Sequence, residues 1–384
     1  MYHMHDSVYG VISISQLAHK VTQHRIFQRL NHICQLGSLR FIHKHAIHTR
    51  YVHSIGTAYL ARKFATVLAN RYKQITPNEI LCVEIAGLCH DIGHGPFSHL
   101  FDKLVDGKSE NAHHEARSII LTKYILNDLR SCCNEASSLS DSDIELILYF
   151  IDTEKYALYN DISALKFTAG LEQIVNNAIT MLDVDKLDYI ERDRQSLHLS
   201  HLHSPIDIDK LFANCHIINN KLVFDFLSKQ TVDNIVYRRH MLYAEFYYTA
   251  DAKAADRMLS DALQSYSKEF YFNDCIQLQT VDQIDAFVQL TDNYIIEHVL
   301  NGKIPHAKQL ILRIISGDLY KLVATFVSDE PLDGTAQYTS TDLTANKSSP
   351  SRLLPNMLYH YNGEMMRDIP MFKIVDRYDI RPTK

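Results

Sequence analysis

The sequence predicts a mostly α-helical protein with small β-hairpins and a C-terminal helical extension. Three observations carry that expectation. Apolar residues recur at helical spacing through most of the chain, as in Val52, Ile55, Tyr59, Leu60, Phe64, Val67 and Leu68. Helix-opening signals precede such runs, most clearly Thr76-Pro77-Asn78-Glu79, with proline inside the first turn. Strand patterns are short and few: an alternating stretch at 6–15 and two apolar runs around Asn219-Asn220.

Taken in order, DSVYGVISIS (6–15) alternates after a glycine turn and predicts a strand or hairpin. Leu17, Val21, Phe27, Leu30, Ile33 and Leu36 keep near-helical spacing over 16–36, a helix that Gly37 ends. Residues 38–49 are a basic, histidine-rich connector. A helix covers 50–73, and the one opened by Thr76 delivers His90-Asp91. Residues 103–111 read as a polar loop, 113–126 as a helix and 131–142 as a Ser- and Cys-rich loop, with short helical pieces up to about 168. The stretch 171–195 reads as one long helix of dense charge. Asp185, Tyr189 and Asp193 repeat every four residues on one face, while Leu182, Leu187 and Ile190 bury the neighbouring one. A hairpin is expected within 205–227, one long Tyr- and Arg-rich helix over 230–264, and helices over 282–300 and 306–327. Residues 328–351 predict a linker or mobile loop, and the tail one strand at 371–376. No internal repeat is visible.

With 384 residues, 46% hydrophobic and 22% charged, the chain buries a sizeable core. Its net charge of −6 gives no indication of nucleic-acid binding, although a local basic pocket stays open. The seven cysteines are scattered, form no CxxC pair and read as reduced core residues, so the expected compartment is cytoplasmic, with a nuclear location left open. No apolar run reaches the roughly 18 residues of a membrane span, and MYHMHDSVYG lacks the pattern of a secretory signal.

The chemistry concentrates in IAGLCHDIGHGPFSHLFD (85–102). His90, Asp91, His94, His99 and Asp102 fall within thirteen positions, interrupted by Gly93, Gly95 and Pro96. Adjacent positions on a helix diverge by about 100°, so a helix ending at Gly93 could aim both His90 and Asp91 at one point. With 22 histidines in the chain a lone one means little, and a buried helix end with His90 and Asp91 capping backbone groups is the plain alternative. The longer pattern HDxGHGPFSH is far more specific. His53, His90, Asp91 and Asp185 are the candidate metal ligands, a mixed N/O set suited to one divalent or trivalent first-row ion such as Fe, Mn, Zn, Co or Ni. His94 and His99 are candidate proton donors, since an unperturbed imidazole titrates near about 6.5, and Asp102 could orient one of them. Arg50, Lys186 and Arg239 are candidate phosphate clamps. Tyr189, Tyr243 and Tyr247 could stack on a base or pack against a sugar.

Together, FQRLNHICQLG (27–37), HTRYVHSIGTAYLA (48–61), ILCVEIAGLCHDIGHGPFSHLFD (80–102), HEARS (114–118), MLDVDKLDYIERD (181–193), LTDN (290–293) and DLYKLV (318–323) closely resemble the HD-domain deoxynucleoside-triphosphate triphosphohydrolases, particularly the vertebrate SAM-and-HD-domain members. The motifs stand in the family's order from about residue 6 to 327. The resemblance implies an HD-domain phosphohydrolase core over 1–265, a helical C-terminal lobe over 266–327, the linker at 328–351 and a tail over 352–384. It implies hydrolysis of dNTP to deoxynucleoside and intact triphosphate, Mg²⁺ on the triphosphate, and a homo-oligomer, dimer or tetramer. It assigns His53, His90, Asp91 and Asp185 to the metal and His94 and His99 to the α-phosphate. His114 with Asp102 joins the proton-handling group. Arg50, Lys186, Tyr189 and Arg239 would hold the triphosphate, Gln35 and Leu36 would lie against the deoxyribose, and Asp193 would bind the 3′-hydroxyl. Only five residues precede Asp6, so no SAM domain is expected ahead of the core.

Departures from the vertebrate pattern fall in two places. Tyr243 and Tyr248 replace a His and a Gln, so Tyr243 with Tyr247 looks more like bacterial members. Positions that read an activating guanine nucleotide align with Tyr2, His5, Gln23, Asn31, Asn214 and Gly317, and only Gln28 and Lys321 keep the expected type. Two alternatives to the triphosphohydrolase stand beside it. One is another HD phosphodiesterase or nuclease, which the GPFSH continuation disfavours. The other is a catalytically silent nucleotide-binding regulator, which the intact ligand set disfavours.

Overall fold

The structure, a computed structural model, describes residues 1–105, 109, 111–199, 205–266, 272–326 and 375–379. Strands β1 (Tyr2–Asp6) and β2 (Gly10–Ile14) pair antiparallel, with Gly10 at φ 72° in the turn. The helix expected over 16–36 is instead three pieces: α1 (Gln16–Gln23), α2 (Arg25–Gln28) and a 3₁₀ turn at Arg29–His32. The break falls at His24, which is extended and whose Nδ1 accepts the N–H of Ile26 at 3.3 Å, so the ring caps a new helix where periodicity reads straight on. Gly37 opens a further 3₁₀ turn rather than ending a helix. A Cβ there would lie 2.7 Å from the carbonyl oxygen of Phe97.

The centre of the molecule is α3 (Arg50–Arg71) packed between α4 (Pro77–Cys89) and a later helix, α9. Helix α4 opens on a reciprocal cap: Thr76 Oγ1 accepts the N–H of Glu79 at 3.2 Å, and Glu79 Oε2 accepts the N–H of Thr76 at 2.7 Å. Next come α5 (His99–Leu104), α6 (His114–Cys132, running past the expected 126), α7 (Asp141–Ile151) and α8 (Thr153–Tyr159). The long helix expected over 171–195 starts only at Val184, as α9 (Val184–Ser196). Ahead of it, Asn177 Oδ1 accepts from Ile179 and Thr180 N–H groups at 3.0 and 2.9 Å, Met181 stands at φ 56°, and Asp183 caps Lys186 N–H at 3.0 Å. Short polar side chains here capture backbone groups that a helix would otherwise use. Gly56 lets α3 and α9 meet, because a Cβ on it would lie 2.0 Å from Asp188 Oδ1.

After α10 (Ile208–Ala213), β3 (Cys215–Ile218) and β4 (Lys221–Phe224) form the expected hairpin. Asn219 and Asn220 both take left-handed φ values, 51° and 63°, as a tight two-residue turn demands. The single helix expected over 230–264 is α11 (Lys229–Leu242), a π turn at Tyr243–Tyr247 and α12 (Ala250–Tyr266). In the wide turn Tyr248 N–H reaches the carbonyl of Tyr243 at 3.0 Å. Then follow α13 (Phe272–Cys275), α14 (Val281–Gln289), α15 (Asp292–Asn301) and α16 (Pro305–Ser316), the last packed along α12. The helix expected over 282–300 breaks at 290–291 because Thr291 caps Tyr294 N–H at 3.2 Å. The one expected over 306–327 stops at Gly317, φ 78°, and gives way to strand β5 (Lys321–Phe326), paired antiparallel with β6 (Val375–Asp379). Among the described residues the tail strand stands at 375–379, overlapping the expected 371–376 at 375 and 376. Residues 371–374 and the linker expected at 328–351 lie outside the described residues. The fold is mostly α, with short hairpin strands, and no described helix is long and apolar enough to cross a membrane.

Candidate metal centre

Three helix ends meet at one point. The first turn of α3 supplies Arg50 and His53, the end of α4 supplies His90 and Asp91, and the first turn of α9 supplies Asp185. His53 Nε2 lies 3.4 Å from Asp91 Oδ2 and 3.1 Å from Asp185 Oδ1. His90 Nε2 lies 3.5 Å from Asp91 Oδ1 and 3.4 Å from the same Asp185 oxygen. The four candidate ligands therefore come together at one point.

The far side of each ring is fixed. His53 Nδ1 donates to Asp188 Oδ2 at 2.7 Å, and His90 Nδ1 donates to the Gly87 carbonyl at 2.8 Å. Asp188 is itself gripped by Arg192, through Nε at 2.8 Å and Nη2 at 2.9 Å. Both Nε2 atoms are buried with no hydrogen-bond partner. Unpaired buried polar atoms are costly. Two such nitrogens facing carboxylates, with their opposite nitrogens tied down, make the donor set a cation requires, and the residues fit a first-row ion.

The charges agree with that fit. Burial opposes ionisation of Asp91, but the Arg50 guanidinium and the neighbouring imidazoles hold its carboxyl well below the usual range. Burial likewise opposes Asp185, and His53 and His90 outweigh it. Burial pushes His53 down, yet the adjacent Asp185, Asp188 and Asp91 carboxylates raise it on balance to about 10, and burial likewise opposes His90, which Asp91 and Asp185 raise on balance. Without a cation His53 holds its proton at neutral pH, and His90 is shifted in the same direction, so an incoming ion competes with protons and loading strengthens as pH rises. Dialysis of protein against limiting Mn²⁺ at pH 6 and pH 8 is expected to leave more metal bound at pH 8, with protons released on binding. Equal loading at both values would show that the rings are not displaced.

Beside this cluster lies a second one, His94, His99, Asp102 and His114. His94 and His114 stack with centroids 3.7 Å apart and planes 17° apart, and His99 meets His94 edge-on at 4.9 Å. Near-parallel rings do not aim their in-plane lone pairs at one ion, so this cluster suits protons better than metal. His114 Nδ1 pairs with Asp102 Oδ2 at 2.8 Å, and Arg117 holds the other Asp102 oxygen. Both nitrogens of fully buried His94 lack hydrogen-bond partners, with Nε2 3.2 Å from Asp91 Oδ1. Burial, then Arg50 and His114, push His94 well down and His99 to about 4. The two rings are therefore neutral at pH 7, not poised near the unperturbed value that the sequence suggests.

The remaining expected residues surround these clusters. Arg50 is buried. It pairs with Asp91 through Nη1 and donates from Nε to Ser98 Oγ at 2.9 Å and from Nη2 to the Gln35 carbonyl at 3.4 Å. Gln35 Oε1 is buried without a partner, and Leu36 packs against the core. Lys186 Nζ lies 2.6 Å from Asp183 Oδ2. Arg239 donates to Tyr189 Oη at 3.1 Å and lies over the Tyr243 ring. Tyr247 donates to Asp193 Oδ2, and His48 Nε2 is 2.6 Å from Asp193 Oδ1. Tyr243 packs edge-on to Tyr247 at 5.0 Å and stacks on Tyr248 at 5.3 Å. Sequence reasoning missed His48 and Asp188. Asp188 stands three residues after Asp185 and four before Arg192, a spacing visible in the chain but equally that of a solvated face.

The HD domain family model matches residues 50–190, the stretch that holds all four candidate ligands. The chain is 32% identical over 319 residues to an HD domain-containing protein of Acanthamoeba polyphaga mimivirus, covering 76% of this chain and 62% of that one. It is 28% identical over 348 residues to the deoxynucleoside triphosphate triphosphohydrolase SAMHD1 of Bos taurus, covering 83% and 58%. It is 29% identical over 349 residues to the SAMHD1 homolog of Dictyostelium discoideum, covering 88% and 63%. The chain spans about three fifths of the length of these relatives. Residues 50–190 thus match the HD domain, and the chain is similar over most of its length to the SAMHD1 deoxynucleoside triphosphate triphosphohydrolases.

Proposed function

We propose that this protein is a metal-dependent hydrolase that splits a dNTP into deoxynucleoside and intact triphosphate. The observation that supports the reading best is the pair of buried, unpartnered Nε2 atoms of His53 and His90 facing Asp91 and Asp185, with the neutral His94 ring adjoining the same Asp91. A first-row ion (Fe, Mn, Zn, Co or Ni) held by those four residues would supply Lewis-acid polarisation of a phosphoryl oxygen. The remaining work falls to the chain. Arg50, Lys186, Tyr189 and Arg239 hold the triphosphate, with Mg²⁺ on its oxygens, and partial burial strengthens those pairs. Water forms the new bond to the α-phosphorus, the bond to the 5′-oxygen breaks, and a histidine of the His94/His99/His114 group gives that oxygen its proton. His94 and His99 are neutral in the free protein, so the arriving polyphosphate must raise their proton affinity, which an adjacent negative charge does. Gln35 and Leu36 close against the deoxyribose, where a 2′-hydroxyl would lose its hydrogen bonds. Asp193, fixed by His48 and Tyr247, accepts from the 3′-hydroxyl. We place the protein in the cytoplasm on its scattered cysteines, with a nuclear location left open, and as a homo-oligomer, a dimer or tetramer, by the same resemblance.

The test is to incubate purified protein with each dNTP and Mn²⁺ or Mg²⁺ and resolve the products. Deoxynucleoside plus tripolyphosphate is expected. Pyrophosphate, cut oligonucleotide, or tight binding without turnover would each overturn the reading. Activation by dGTP through the guanine site is expected to be absent or altered. Each charged hydrogen bond missing from the guanine positions is worth about 1.5–3 kcal/mol. Gln28 is moreover spent internally, its amide donating to the Thr22 carbonyl at 2.6 Å. A rate that needs guanine nucleotide and vanishes in Gln28→Ala with Lys321→Ala would contradict this.

A further inference from the structure

The segment LTDN (290–293) is among the matching motifs yet contributes nothing to either cluster. It lies at the break between α14 and α15, and Asp292 there is fully buried. Asp292 Oδ1 accepts the N–H of Phe97 at 2.8 Å. Its Oδ2 accepts the N–H of Cys34 at 3.0 Å, with Arg40 Nη1 at 3.4 Å supplying countercharge. Two positions earlier the Leu290 carbonyl accepts Arg29 Nε at 3.0 Å, and the same guanidinium donates through Nη2 to the His94 carbonyl at 2.6 Å. Both ends of the turn 94–98 are therefore tied to one short break in a distant part of the chain.

That turn is one the backbone would not keep unaided. Phe97 and Ser98 stand at φ 60° and 59°, a region that side-chain-bearing residues avoid for steric reasons. It is packed without slack, since a Cβ on Gly95 would lie 2.1 Å from the Phe101 ring. Ser98 Oγ donates to the Cys34 carbonyl at 2.7 Å and accepts from Arg50. At its two ends stand His94 and His99, whose rings must hold a fixed relation to each other and to Asp91.

We propose that Asp292 and Arg29 are positioning residues, which fix the strained turn so that His94 and His99 point at the reacting phosphorus without themselves touching substrate. This rests on the reading of those histidines as the proton-handling pair. Asp292→Asn tests it, because the amide keeps the volume but turns its NH₂ toward one of the two backbone N–H groups. Arg29→Lys is the companion variant, since an ammonium keeps the charge but cannot span two carbonyls.

In the metal-loaded protein, kcat is expected to fall on the order of 10²-fold, as for displacement of a catalytic group by an ångström, with KM within about threefold. Metal content should stay at the wild-type level. Amide hydrogen exchange should quicken in peptides covering 93–101 and not in those from α3 and α4. Unchanged kcat per folded, metal-loaded molecule, or exchange that rises evenly through the core, would overturn the proposal and leave only a stability role. Should Asp292→Asn fail to fold, Arg29→Lys is judged by the same criteria. Should wild-type protein hydrolyse no dNTP, the functional reading fails separately, and the exchange pattern alone decides whether 290–292 holds the turn.

Discussion

Replacing His94 with alanine is expected to lower turnover by roughly 10²–10⁴-fold, the usual worth of a positioned acid–base group, while fold and bound metal survive. The ring is fully buried, and neither nitrogen has a hydrogen-bond partner. Removing it relieves an unpaired polar burial worth about 1–3 kcal/mol and forfeits a stack on His114 worth roughly 0.5–1.5 kcal/mol. Stability should therefore barely change. His94 lies against Asp91 but not among the four converging ligands, so metal content should match wild type. The measurements are kcat, metal per chain and the thermal midpoint. Activity within a few-fold of wild type would remove His94 from the chemistry.

Asp185→Ala should fail differently, losing the ion and the activity together. One Asp185 oxygen lies within 3.1 and 3.4 Å of both imidazoles, and its side chain, 32% exposed, forms the open side of the cluster. Without it the two rings, with centroids 5.2 Å apart, confront each other with only Asp91 between them. Losing an outer partner of a ligand costs roughly 10–100-fold in metal affinity, and loss of a direct ligand should exceed that. Asp188→Asn is the internal comparison. It weakens the acceptor behind His53 Nδ1 and the pairing with Arg192 but removes no candidate ligand, so it should weaken metal binding less than Asp185→Ala does. Full metal occupancy in Asp185→Ala would mean that the ion sits elsewhere.

Local chemistry made much of this molecule readable from its residues. The cap written in Thr76 and Glu79 sets the start of α4 and hence the position of His90 and Asp91. The Asn219-Asn220 pair marks its hairpin because asparagine tolerates the left-handed turn. The four candidate ligands could be picked out because each sits at a helix end with a distinctive neighbourhood. Periodicity misled wherever a side chain outbid the backbone. His24, Asn177 and Thr291 each break a run whose apolar spacing continues unbroken. The π turn at 243–247 inserts its extra residue with no compositional mark. His48, Asp188 and Asp292 were missed because their work depends on partners far away in the sequence. Asp292 meets Phe97 across a separation of 195 positions, which no local window can contain.

The bond from Arg29 to Leu290 spans 261 positions, and that span has a temporal meaning. Every proposed ligand has been synthesised once residue 185 is added, but the ties on the turn between His94 and His99 wait for 290–292. At roughly 5–20 residues per second that delay is on the order of ten seconds. On the proposed reading, the four candidate ligands are thus all synthesised before the residues that tie the turn between His94 and His99.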